Sequence, residues 1–169
     1  LIADVPSDET LTAVVTPLST VLSSADTEKE KTAVLAGLGI TGSAESIVTT
    51  DNWALAESGD ETGKSVQVVN QQVGLVIQTA ATLIQSDTST TEVSAADIAV
   101  AVADQVVSVA TTSSSVDLSS ADTVSAVLTD AVQASDSGAT VSMEAIAAVA
   151  TIVAEVNDLV GSADVDPTS

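Results

Sequence analysis

The chain has no cysteine, histidine, tyrosine, phenylalanine or arginine, and its three basic residues, Lys29, Lys31 and Lys64, stand against 24 acidic ones. Each absence removes a class of chemistry. Without Cys there is no disulfide, no thiolate nucleophile and no soft-metal ligand. Without His there is no imidazole to act as a general base near neutrality. Without Arg there is no bidentate clamp for phosphate or carboxylate, and one aromatic residue, Trp53, cannot make a row of base-stacking platforms. A formal net charge of -21 repels phosphate and anionic lipid, so nucleic acid and bare membrane surfaces are set aside as partners. No stretch approaches the roughly 20 apolar residues of a membrane span, so direct membrane insertion is not expected. The opening Leu1-Ile2-Ala3-Asp4 carries neither an initiator Met nor a signal peptide and reads as an excised or processed chain.

What is present is sufficient for folding. The 169 residues are 45% hydrophobic, nearly all Ala, Val, Leu and Ile with a single Met143, which predicts a core built from many small contacts between closely packed helices. An excess of carboxylates keeps such a surface hydrated, and high ionic strength relieves its self-repulsion. An extracellular or cell-surface location in salty surroundings is the expectation.

Local signals predict the elements. Leu1 to Thr10, with Pro6, reads as an extended lead-in or linker. Thr16-Pro17 caps a short helix through about Ser23, and Thr27 with Glu30 forms a capping box for a helix stopped by Gly39. Gly42 to Asp51 reads as a loop, and Trp53 lies on a short helical turn ended by Ser58-Gly59. Val66, Val69, Val73, Val76, Ala80 and Leu83 recur every three or four residues along a long helix from about Asp60 to Gln85. Its opposite face carries Gln67, Asn70, Gln71, Gln78 and Thr82.

Ser94 and Ser119-Ser120 then cap two further helices, one with Ile98, Val102, Val106 and Val109, the next with Val124, Val127, Leu128, Ala131 and Val132. A last helix carries Ile146, Val149, Ile152, Val153, Val156 and Leu159 and stops at Gly161. The predicted architecture is an all-α single domain: a bundle of about six or seven helices over 11–160, the extended segment 1–10 and an acidic tail or linker over 161–169. Leu-Ser-Ser-Ala-Asp-Thr occurs at Leu22 and again at Leu118, which reads as reuse of a good cap or as a weak internal repeat.

Candidate sites are few. Two carboxylates at a set separation suffice for glycoside hydrolysis, but nothing singles out a pair, and a sugar-cleaving site normally adds aromatic platforms. The chain is therefore not expected to be an enzyme. Asp4 and Asp8 near the start, and Asp164 and Asp166 near the end, are oxygen donors that calcium accepts; no Asp-x-Asp-x-Asp-Gly loop is present, and solvated terminal acids are the simpler reading. Calcium is the one cofactor kept as an alternative. Trp53 could stack on a ligand, but in a bundle of small residues it is expected to be the core anchor. Lys64, Lys29 and Lys31 read as local partners of Glu61, Glu28 or Glu30. The apolar stripes read as core by default, and any stripe left uncovered, the final helix from Met143 to Leu159 first among them, would be a contact surface.

The run Leu11-Thr12-Ala13-Val14-Val15-Thr16-Pro17-Leu18-Ser19-Thr20-Val21-Leu22 resembles the "V-T-P-L-T-T-L" opening of an all-helical module in very large secreted surface proteins of aquatic bacteria. Gly37-Leu38-Gly39, Thr50-Asp51-Asn52-Trp53, Gly59-Asp60 and the Gln-rich helix from Val66 to Leu83 follow in the same order, so the likeness covers roughly the first half of the chain. It implies a non-catalytic structural or adhesive module of an exported, adhesin-like protein, partnered by neighbouring domains of a larger polypeptide. It transfers no catalytic residues. The alternatives are a self-assembling subunit of an extracellular filament or surface layer, with identical subunits as partners, a calcium-binding module, and, last, a secreted carbohydrate hydrolase.

Overall fold

The computed structural model describes residues 15–86, 93–113, 115–134 and 139–162. Among these residues it has eight α-helices and no strand: α1 (Pro17–Ser24), α2 (Glu28–Gly37), α3 (Ala44–Thr49), α4 (Asn52–Glu57), α5 (Glu61–Ser86), α6 (Ala95–Ser113), α7 (Ala121–Ala134) and α8 (Met143–Ser162). The all-α bundle predicted from the caps and periodicity is the observed fold. The predicted extended lead-in 1–10 lies outside the described residues, as does the tail beyond Ser162.

The first two helices begin where their caps require. Thr16 Oγ1 accepts from Ser19 N at 3.1 Å, and Thr16 N donates to Ser19 Oγ at 2.7 Å. Thr27 and Glu30 make the same reciprocal pair at the start of α2. The left-handed Gly39 (φ 71°) then turns the chain so that Ile40 N reaches Leu35 O at 2.8 Å.

One helix differs from the sequence reading. Gly42 to Asp51 is not all loop, because Ser43 Oγ accepts from Ser46 N and the six-residue α3 buries Ala44 and Ile47. Six residues are too few to show a helical period, which is why the bundle exceeds the expected count.

Helices α5 and α6 form the centre. α6 packs against α1, α2, α5 and α7, while α5 also carries α4 and α8. Buried Val, Leu, Ile and Ala from every helix except α4 join into one apolar cluster. The α6–α7 connection is pinned on both sides: Val116 N donates to Gly37 O at 2.9 Å, and Leu118 O accepts from Asn157 Nδ2 at 2.9 Å. Asn157 is fully buried on α8, and Gln72 Nε2 of α5 donates to its backbone oxygen at 2.9 Å. A polar staple thus ties α5, α8 and the connection together inside an otherwise apolar seam.

The expectation that no segment is long and apolar enough for a membrane span needs correction. By length and composition alone α6 and α8 both reach it. Ser, Thr and acids break every uninterrupted apolar run in them, yet Ala and Val keep the average high. In the bundle α6 lies amid four other helices, and α8 packs one face on α5 and α7.

Candidate functional site

Described carboxylates sit on the solvent side of their helices. All are exposed except the partly buried Glu30, which serves the α2 cap. Lys31 pairs with Glu28 at 2.7 Å and Lys64 with Glu61 at 3.0 Å, each three residues apart on one helix as the sequence suggested. No group of three or more acids is placed to hold a metal ion among the described residues. Asp4, Asp8, Asp164 and Asp166, the calcium candidates, lie outside the described residues.

Among the described residues, two features of the surface stand out beside scattered exposed residues such as Val15 and Val100. The first is Trp53, and here the core-anchor expectation fails: the indole is 54% exposed. The reason lies in how α4 meets α5. A Cβ built on Gly63 would fall 2.5 Å from Ala56 N and 2.8 Å from Leu55 Cβ, so the two helices touch almost backbone to backbone. Ala56 fills that seam, and no space remains for an indole. Trp53, at the second position of α4, is left at the rim.

Its surroundings are firmly held. Asp51 Oδ1 accepts from Trp53 N and Ala54 N, both at 3.1 Å, and Asn52 Nδ2 donates to Ile47 O at 2.7 Å and to Thr50 O at 3.1 Å, tying the end of α3 to the start of α4. Gly59 (φ 89°) reverses the chain after α4, and Asp60 Oδ1 caps α5 by accepting from Gly63 N at 2.9 Å. The result is a cleft of about 260 Å³ between α3, α4 and α5, lined by Trp53, Asp51, Val66, Gln67 and Asn70 with Thr16 at its edge. By sequence pattern Asn70 belongs to the wet face of α5. Instead its Oδ1 accepts from Leu18 N at 2.9 Å, docking α1 beside the cleft. A larger cavity of about 520 Å³ between α1, α2 and α3 includes the Glu28–Lys31 pair and no aromatic residue.

The second feature is the outer face of α8. Ile146, Ala150, Val153, Ala154 and Asn157 face the bundle. The sequence stripe merged two faces, because Ile152, Val156 and Leu159 point outward; Ile152 is 61% and Leu159 66% exposed. Ala145 and Ala148 extend the same outward row at spacings of three and four, while Glu144, Thr151, Glu155 and Asp158 are also exposed on the helix.

No family model, curated protein or solved structure matches the chain.

Proposed function

We propose that the chain is a non-catalytic structural or adhesive module of an exported bacterial surface protein. The observation that carries this reading is the second apolar face of α8: a helix already buried along one side offers Ile152, Val156 and Leu159 on the other, in a surface otherwise rich in carboxylates. Such a face fits a neighbouring domain of a larger polypeptide laid along α8. The outward position of the described carboxylates supports a role in hydration rather than acid–base chemistry, which needs a carboxyl shielded from water. The surface also suits diffuse uptake of divalent cations such as calcium. Glu144, Glu155 and Asp158 on α8 and the buried Asn157 favour a helix that lies within a protein assembly over one inserted in a bilayer.

A second reading, a self-assembling subunit of an extracellular filament or surface layer, draws on the same face with an identical copy as the occupant. Protease shaving of intact cells that produce the full polypeptide tests the shared premise. Release of peptides from this chain is expected; protection until the cells are lysed would contradict export.

A further inference from the structure

We propose that the Trp53 cleft binds a neutral saccharide, stacked on the indole and held through its hydroxyls by side-chain amides. This site is separate from the α8 face and stands whether or not that face is covered. The close α4–α5 contact leaves the indole half exposed beside a cleft, where its face is free to stack on a ligand and its surroundings can supply polar contacts. The face of a sugar ring is apolar on its C–H side and matches an indole, whereas its edge requires hydrogen-bonding groups.

The cleft supplies these groups in both senses. Asn70 uses its Oδ1 on Leu18 N and so offers the Nδ2 donor. Asn52 uses its Nδ2 hydrogens on Ile47 O and Thr50 O and offers Oδ1 as acceptor. Asp51 engages Oδ1 at the α4 cap, which leaves Oδ2 as a second acceptor, and Gln67 adds a full carboxamide. At about 260 Å³ the space falls just below that of sites for drug-sized molecules, which suits one or two sugar rings.

Charge selects within the class. Asp51, Glu57, Asp60 and Glu61 surround or adjoin α4, and the chain carries -21 overall, so sulfated and uronate sugars are repelled. A quaternary ammonium would be attracted by the carboxylates, but recognition of that group relies on a cage of several aromatic rings, and this chain has one ring system.

Trp53 is also the reporter. With no Tyr, Phe or second Trp, all tryptophan emission from the chain comes from this site. The test titrates the full chain with cellotetraose, laminaritetraose and chitotetraose, with alginate, dextran sulfate and choline alongside, reading emission and acrylamide quenching and then calorimetry. At least one neutral tetrasaccharide is expected to shift the emission saturably and to shield the indole from acrylamide. Trp53→Ala should abolish the calorimetric signal while circular dichroism shows it still folded, and Gln67→Ala should weaken binding about tenfold, the effect of losing one well-made hydrogen bond. Ile152→Glu should bind like the parent chain. The proposal is overturned if no neutral saccharide moves the emission, if Trp53→Ala binds as well as the parent, or if an anionic polymer or choline binds more tightly than every neutral sugar. Shielding of Trp53 by a protein partner but by no saccharide would also overturn it.

Discussion

Replacing Gly63 by Ala tests how α4, and with it Trp53, is held against the bundle. In a helix interior the change should stabilise by up to about 1 kcal/mol through propensity, and by less in the first turn, where Gly63 lies. Against this, the new Cβ would meet Ala56 N at 2.5 Å and the Leu55 carbonyl carbon at 2.9 Å. These are backbone atoms that cannot rotate away, so α4 must move as a unit, and overpacking of this kind costs about 1–3 kcal/mol. The net expectation is a loss of roughly 1–2 kcal/mol, or a Tm lower by about 2–4 °C for each kcal/mol. Gly74, on the same helix, is the control: its added Cβ would meet Pro17 Cγ at an ordinary 3.5 Å, so Gly74→Ala should stabilise by about 0.5–1 kcal/mol. Urea and thermal melts followed by circular dichroism measure both variants, and the Trp53 emission spectrum reports whether α4 has shifted. A Gly63→Ala chain as stable as the parent, with unchanged emission, would refute the close-contact explanation for the exposed indole.

Asn157→Asp should destabilise by roughly 3–5 kcal/mol at neutral pH, the usual cost of an uncompensated buried charge. Burial would raise the folded-state pKa above the unfolded value of about 3.9, so the loss relative to the parent is absent below about pH 4 and grows as pH rises toward the folded pKa. Urea midpoints of both chains across pH check this, and a pH-independent difference would contradict it. Thr27→Ala removes the acceptor for Glu30 N and should cost about 1 kcal/mol by the same melts; no change would mean that the α2 cap is not needed. If identical copies meet through α8, sedimentation velocity should show association that grows with concentration and with salt. Screening shortens the reach of the repulsion from about 10 Å at 0.1 M to about 3 Å at 1 M. Ile152→Glu should abolish that association with little effect on stability, and a monomer at every salt and concentration would exclude the self-assembling reading.

The fold was legible wherever its determinants are local. Thr16, Thr27, Gly39 and Gly59 act within four or five residues of themselves, and each starts or stops a helix at the place its chemistry requires. α3 was hidden because a six-residue helix with two buried side chains has no period to read, leaving Ser43 as its one signal. The stripe on α8 was visible, but spacings of three and four connect Ile146 to Ile152 as readily as to Val153, so its two faces could not be separated without the neighbours. Residue size does not separate them either, since Ala150 and Ala154 lie on the buried side and Ala145 and Ala148 on the outer one. For Trp53 side-chain size argues for burial, while the decisive fact is the backbone contact at Gly63, set by tertiary packing. Gln67 and Asn70 stand out on the polar face of α5, yet their place beside Trp53 depends on how α4 folds back over that helix.

The absence of cysteine makes one labelling measurement decisive for export and for a covered α8 face. In a cysteine-free background of the full polypeptide, Lys29→Cys places a thiol on exposed α2 and Leu159→Cys places one on the outer face of α8. A membrane-impermeant maleimide applied to intact cells should label position 29 and spare position 159, while both react in the isolated chain. Failure to label position 29 on intact cells would contradict export, and equal labelling of the two positions there would contradict a covered α8 face.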